Sequence, residues 1–222
     1  MRNYPTKEQM RQALVERETE EVVAKLEQSK VAVCGLGGLG SNIAIALARA
    51  GVGSLILIDY DVVDLSNMNR QQYEVEQIGR KKTDCMKETI KKIAPYCKVE
   101  THHVFLEKGN IKELLKDADV ICEAFDVAEN KAILVNEVLE KLPNSYLVAA
   151  SGMAGLGDAN EIRTRKITEH FYLCGDGHSE VCDGQSLVAP RVLICASHQA
   201  LCVLQILQRI ERKEGLVNEQ RG

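Results

Sequence analysis

The chain has 222 residues, 45% hydrophobic and 27% charged, with 28 Lys and Arg against 32 Asp and Glu for a net charge of −4. That length suits one domain with a large core, while the acidic balance, the absence of tryptophan and an aromatic content of 4% argue against a nucleic-acid partner. The polar opening Met1-Arg-Asn-Tyr-Pro-Thr-Lys-Glu-Gln9 has no apolar stretch of a secretory signal, and no later run approaches the roughly 18 apolar residues of a membrane span. A cytoplasmic protein without membrane contact is expected.

Residues 7–28 carry Met10, Leu14, Val22, Val23 and Leu26 at helical spacing among many charges, so residues 1–29 read as an N-terminal helical arm. It either packs on its own domain or reaches a neighbouring subunit. From residue 30 strand and helix alternate: strand Lys30–Cys34, a helix from about Leu39 to Ala50, strand Ser54–Ile58, a helix over Thr83–Ile93 and strand Lys98–Val104. A helical turn at Ile111–Lys116, strand Val120–Glu123, a helix over Ala128–Leu142 and strand Tyr146–Ala150 continue the series. Such alternation means an α/β, Rossmann-like fold: a mostly parallel, doubly wound sheet with helices on both faces.

Past Ala150 the texture changes. Ser151-Gly-Met-Ala-Gly-Leu-Gly157 is rich in turn residues, Glu161–Ile167 alternates like an exposed strand, and residues 168–188 read as a mobile crossover segment. Pro190 suits a first helical turn, and Val192, Cys195, Ala196, Val203 and Leu207 supply the apolar face of a long closing helix. Residues 30–212 then form one nucleotide-binding domain, with 213–222 as a C-terminal tail.

The eight cysteines include no Cys-x-x-Cys pair, so zinc is not expected. Cys34, Cys122 and Cys195 fall in apolar runs and read as core. Gly35-Leu-Gly-Gly-Leu-Gly40, between a strand and a small-residue helix, fits a turn whose backbone N–H groups cradle phosphate, with Gly35, Gly37, Gly38 and Gly40 as cofactor-binding positions. Asp59 follows Gly40 by nineteen residues, near the spacing of a carboxylate that holds ribose hydroxyls; its competing role is a solvated acid at a strand end. Arg70 and Lys82 offer a planar fork and a point charge to a triphosphate, whereas Lys81 reads as a surface cation. Asp126, after the strand ending at Ala124-Phe125, lies where ligands collect at the carboxyl edge of an open sheet. It serves either Mg²⁺ or the N-cap of the following helix. His170 and His178 read as polar loop residues.

Taken together, Gly35–Gly40, Asp59-Tyr-Asp61, Asn67-Met-Asn-Arg-Gln71, Gly79-Arg-Lys-Lys82 and Asp126 resemble the ThiF-type sulfur-carrier adenylyltransferases of the ubiquitin-activating-enzyme superfamily. The resemblance runs from about Arg17 to the closing helix. It implies ATP and Mg²⁺, with Asp59 on ribose, Asp61 and Asn67 near the triphosphate, Arg70 and Lys82 as catalytic phosphate handlers, and Asp126 at the metal. It further implies a homodimer in which Arg17 crosses to the partner's ATP, and a thiol at Cys174, with Cys182 second, that bonds to the carrier. The expected reaction is adenylation of the C-terminal glycine carboxylate of a ubiquitin-like sulfur carrier in thiamine biosynthesis, with a cysteine desulfurase as sulfur source. Two alternatives stay open: an NAD-dependent dehydrogenase, and a superfamily enzyme that activates a carboxylate on modified tRNA. Related zinc-binding members carry two Cys-x-x-Cys pairs that this sequence lacks, and a following rhodanese-like domain is not expected.

Overall fold

The computed structural model describes residues 4–210; the proposed tail 213–222 lies outside them. Seven strands form one sheet in the order β3-β2-β1-β4-β5-β7-β6, with β1 at Lys30–Cys34, β2 at Ser54–Ile58, β3 at Lys98–His102, β4 at Val120–Glu123, β5 at Tyr146–Ala150, β6 at Arg163–Lys166 and β7 at Phe171–Gly175. All neighbours run parallel except β6, which is antiparallel to β7. The chain steps outward from β1 to β2 to β3, then returns to lay β4 against the other side of β1. That reversal makes the carboxyl ends of β1 and β4 the topological switch point, where ligands settle in open α/β sheets.

The strands form because β1, β2, β4 and β5 are short apolar runs that are buried almost throughout, as parallel strands covered on both faces must be. The edge strand β3 is polar and partly exposed, and β6 is exposed along its whole length. One face carries α3 (Gly38–Arg49), α4 (Lys82–Ile93) and α7 (Ala189–Arg209), whose buried residues join Val31, Val33, Leu55 and Leu57 in the larger core. The opposite face packs α5 (Ile111–Leu115) and α6 (Ala128–Lys141) on Ala32, Cys34, Ile56 and Ile58. Each fully buried Leu or Ile contributes about 1.5–3 kcal/mol. Pro190 does lie in the first turn of α7. By length and composition α7 could cross a membrane, nearer to a span than the sequence suggests. Yet Val192, Cys195, Val203, Ile206 and Leu207 are buried inside the protein.

Three sequence expectations need correction. The arm is two helices, α1 (Lys7–Val15) and α2 (Glu20–Glu27), because Thr19 caps a fresh start by accepting from the Val22 N–H. The predicted strand 98–104 ends at His102. The supposed mobile segment 168–188 contains β7, an interior strand whose Leu173 and Cys174 register with Ala149 and Ala150 of β5.

Candidate active site

The glycine turn assembles at the switch point, and its glycines do different work. Gly35 has φ +91°, and a Cβ there would sit 2.8 Å from the Ala124 carbonyl oxygen, so it is needed where the end of β1 meets the end of β4. At Gly40 a Cβ would lie 1.8 Å from the Gly35 carbonyl oxygen, so α3 could not close on the turn. Gly37 is the N-cap of α3 and supplies no side-chain cap, leaving the first amides of the helix aimed outward. A Cβ on Gly37 would find only the Gln71 amide, at 3.8 Å. Gly38 lies under the Arg70 stem and against Val192 of α7. Thus Gly35 and Gly40 build the turn, Gly38 admits Arg70 and Val192 against it, and Gly37 leaves its crest open.

The charged residues gather around that crest. Asp59, buried at the end of β2, accepts from the Leu36 N–H at 2.6 Å and the Asp61 N–H at 2.7 Å. Burial raises its pKa, against the opposing pull of Lys82 and the two backbone donors. Lys82 starts α4 and is buried; its Nζ donates to Asp61 Oδ2 at 2.9 Å. Arg70 lies across Gly38, its Nη1 donating to the Ser66 carbonyl at 3.1 Å and to Asn69 Oδ1 at 2.8 Å. Asp126 is exposed, and the N-cap of α6 is Val127, so the capping role falls away. The hydroxyl of exposed Tyr60 is held above its ordinary pKa by Asp61 first, then by burial, Asp126 and Asp59. The three carboxylates therefore act on one phenol.

Asn67 is placed differently from the expectation: its Oδ1 accepts from the Asp64 N–H at 3.0 Å, capping its own 3-10 turn. Arg17 does not join the cluster. It is exposed between α1 and α2, and Leu14 of the same arm lies beside Gly51, past the C-terminal end of α3. A 12-residue helix separates that end from the glycine crest by about 18 Å. Cys174 is fully buried in β7, and burial pushes its thiol up to about 11. This is the environment of an inert core thiol, not of a mobile nucleophile; Cys182 is the exposed one.

Sequence reasoning missed two ion pairs at the same sheet edge. Arg191, in the first turn of α7, donates through Nη2 to Asp176 Oδ2 at 2.7 Å and through Nη1 to the Asp158 carbonyl at 2.9 Å. Burial works against the Asp176 charge, but Ser179, the His178 N–H and Arg191 together hold this carboxyl far below its usual range. Arg191 also lines a cavity of about 530 Å³ with the Ala154–Gly157 turn, His178 and Cys182. The second pair joins Glu123 to Lys131 at 2.9 Å. A charge closing the apolar run Val120-Ile-Cys-Glu123 was the available signal for it.

A family model described as the ThiF family matches residues 9–220. The chain belongs to the ThiF family. It is 33% identical over 153 residues to the tRNA threonylcarbamoyladenosine dehydratase of Haemophilus influenzae, covering 68% of this chain and 58% of that protein. Over 129 residues it is 33% identical to the Caenorhabditis briggsae adenylyltransferase and sulfurtransferase MOCS3, covering 58% of this chain and 32% of that protein. The match thus spans little more than half of the first relative and a third of the second. The crystal structure of the E. coli tRNA N6-threonylcarbamoyladenosine dehydratase in complex with ATP has the same fold, with a TM-score of 0.82 at 21% identity over 92% of this chain and 97% of that one. This ThiF-family chain has the expected Rossmann-like sheet.

Proposed function

We propose that this chain activates a substrate carboxylate with ATP. A carboxylate oxygen attacks the α-phosphorus, the bond from that phosphorus to the bridging oxygen breaks, and acyl-adenylate and pyrophosphate leave. The observation that carries this reading is the open N-terminus of α3 at the switch point with Arg70 and Lys82 beside it. Helix-end amides and two cations stabilise charge as it moves onto pyrophosphate, and Asp59 is set to take ribose hydroxyls on its remaining lone pairs. No protein nucleophile is needed, because the attacking carboxylate is already ionised at neutral pH. Asp126 fits Mg²⁺, being an exposed carboxylate released from capping; the ion, when bound, neutralises phosphate charge.

For the acceptor, the dehydratase relatives favour a carboxylate carried on a modified tRNA nucleoside, a reading that the net charge alone disfavours. A second reading, the C-terminal carboxylate of a small ubiquitin-like carrier, draws on the cavity beside α7. Its exposed Glu161 and Glu180 oppose a polyanion, and its Gly155 and Gly157 backbone suits an extended peptide. Arg17 enters either scheme only from a second copy.

Acceptor-dependent exchange of labelled pyrophosphate into ATP tests the proposal, run with threonylcarbamoyladenosine-bearing tRNA, with a diglycine-ended carrier, and with neither. Exchange that requires one acceptor supports activation and names the class. ATP binding with no exchange in any arm rejects it.

A further inference from the structure

The pair of buried Glu123 and half-buried Lys131 has no part in the reaction as described, yet it sits where the nucleotide side and the acceptor side of the site meet. Strands β4 and β5 are in register only as far as Cys122 and Val148, after which they part. The Glu123 carboxylate fills the fork. Its Oε1 accepts from the Phe125 N–H at 2.7 Å, and its Oε2 accepts from the Ala150 N–H at 3.4 Å. Lys131, in the first turn of α6, donates to both carboxylate oxygens at 2.9 and 3.1 Å and to the Ala150 carbonyl at 3.1 Å. From α7, Gln199 Nε2 donates to the backbone carbonyls of Glu123 and Val148 at 3.0 and 3.2 Å.

Each bond fastens one branch of the fork. Phe125 leads directly to Asp126, and Ala150 leads directly to the Ser151–Gly157 turn, whose Ala154–Gly157 portion lines the cavity beside Arg191. The pair therefore touches neither substrate but fixes the spacing of the two segments that would present them. A structural ion pair with no such duty could bond anywhere on α6; here the side chains of Glu123 and Lys131 bond to each other, to Ala150 at the end of β5 and to Phe125 just past the end of β4.

We infer that Glu123 and Lys131 are positioning residues that hold the Phe125–Asp126 turn at a set distance from the Ser151–Gly157 turn, so that nucleotide and acceptor carboxylate meet in line. The inference rests on the adenylation reading for its kinetic consequence and on geometry alone for its mechanical one. Misplacing reactants by about 1 Å costs on the order of 100-fold in rate.

The test uses the full chain with Lys131→Met, Lys131→Arg and the double variant Glu123→Leu with Lys131→Met. In Lys131→Met, turnover should fall about 100-fold while ATP affinity stays within about 2-fold, and Lys131→Arg should recover most of the rate. The double variant removes the unpaired buried charge, so its melting temperature should return toward wild type while turnover stays low. A rate that returns with the melting temperature would reduce the pair to a structural role and overturn the inference. Hydrogen exchange without ligand gives a readout independent of acceptor and chemistry. In Lys131→Met, or in the double variant if the single one does not fold, segments 124–127 and 151–157 should loosen together, and loosening of one alone would overturn the inference. Absence of exchange activity in the wild type would reject adenylation and leave the exchange measurement to decide the mechanical claim.

Discussion

Substituting alanine at three glycines of one turn separates its architecture from its ligand. At Gly37 the new methyl group meets only the Gln71 amide at 3.8 Å, so the fold has room for it. The remaining cost is that of alanine in place of glycine at an N-cap, about 0.5–1 kcal/mol, or roughly 1–4 °C in melting temperature for a chain of this size. The same methyl group stands on the crest where phosphate would approach the amides of α3. Losing one or two charge-assisted bonds there removes about 2–3 kcal/mol, which is about 30- to 150-fold in ATP affinity. At Gly40 the methyl group would lie 1.8 Å from a backbone oxygen, and that variant should lose about 4 kcal/mol or more and fold poorly. Gly35→Ala combines φ +91° with a 2.8 Å contact and should fall between them. Calorimetric titration with ATP, paired with thermal melts, reads both quantities. A well-folded Gly37→Ala chain with unchanged ATP affinity would refute the placement of phosphate at this helix end.

Arg70→Ala and Asp126→Ala should each slow adenylation by two orders of magnitude or more with melting temperature nearly unchanged, since both side chains lie at the ligand edge; near-normal pyrophosphate exchange would remove them from the mechanism. Asp176→Asn should cost about 2 kcal/mol at neutral pH by leaving Arg191 with only the Asp158 carbonyl and the more distant Glu161 carboxylate, at 3.8 Å. Because the folded state depresses the Asp176 pKa, its contribution is complete above the unfolded value of about 3.9 and drains away as pH falls toward the folded value. The gap between wild type and variant in denaturant titrations should therefore close as pH drops below about 4, and a gap that widened there would contradict the sign. A maleimide should modify exposed Cys182 first and reach Cys174 only on unfolding, and Cys174→Ala should spare adenylation; early labelling of Cys174 would restore the catalytic thiol reading.

The sheet and its helices were legible because parallel strands buried on both faces leave uninterrupted apolar runs, as at Val31–Cys34 and Leu147–Ala150. Strand β7 escaped notice because Phe171-Tyr-Leu-Cys174 is a short run set between turn residues. Nothing local announces that Leu147 will donate its N–H to the His170 carbonyl. Within the site, spacing identified Asp59, while the chemistry of a fork and a point charge and the family resemblance singled out Arg70 and Lys82; the fold sets Asp59 on the Leu36 N–H of the glycine turn, Arg70 across Gly38 and Lys82 on Asp61. Spacing could not show that Asn67 is occupied in capping its own turn or that the Cys174 thiol is sealed in an interior strand. Those facts depend on hydrogen bonds and packing that form only once the chain is folded. The Glu123–Lys131 and Asp176–Arg191 pairs were hidden for the same reason: the significance of a charge in an apolar run depends on the partner that reaches it.

The most direct measurement follows an oxygen atom. With the acceptor carboxylate labelled with heavy oxygen, and ATP unlabelled, attack at the α-phosphorus followed by capture of the adenylate by a nucleophile carries one heavy oxygen into AMP. Mass spectrometry of the released nucleotide should find it there, in wild-type protein and not in Arg70→Ala over the same period. Label appearing in inorganic phosphate instead, or AMP formed without label, would contradict the account.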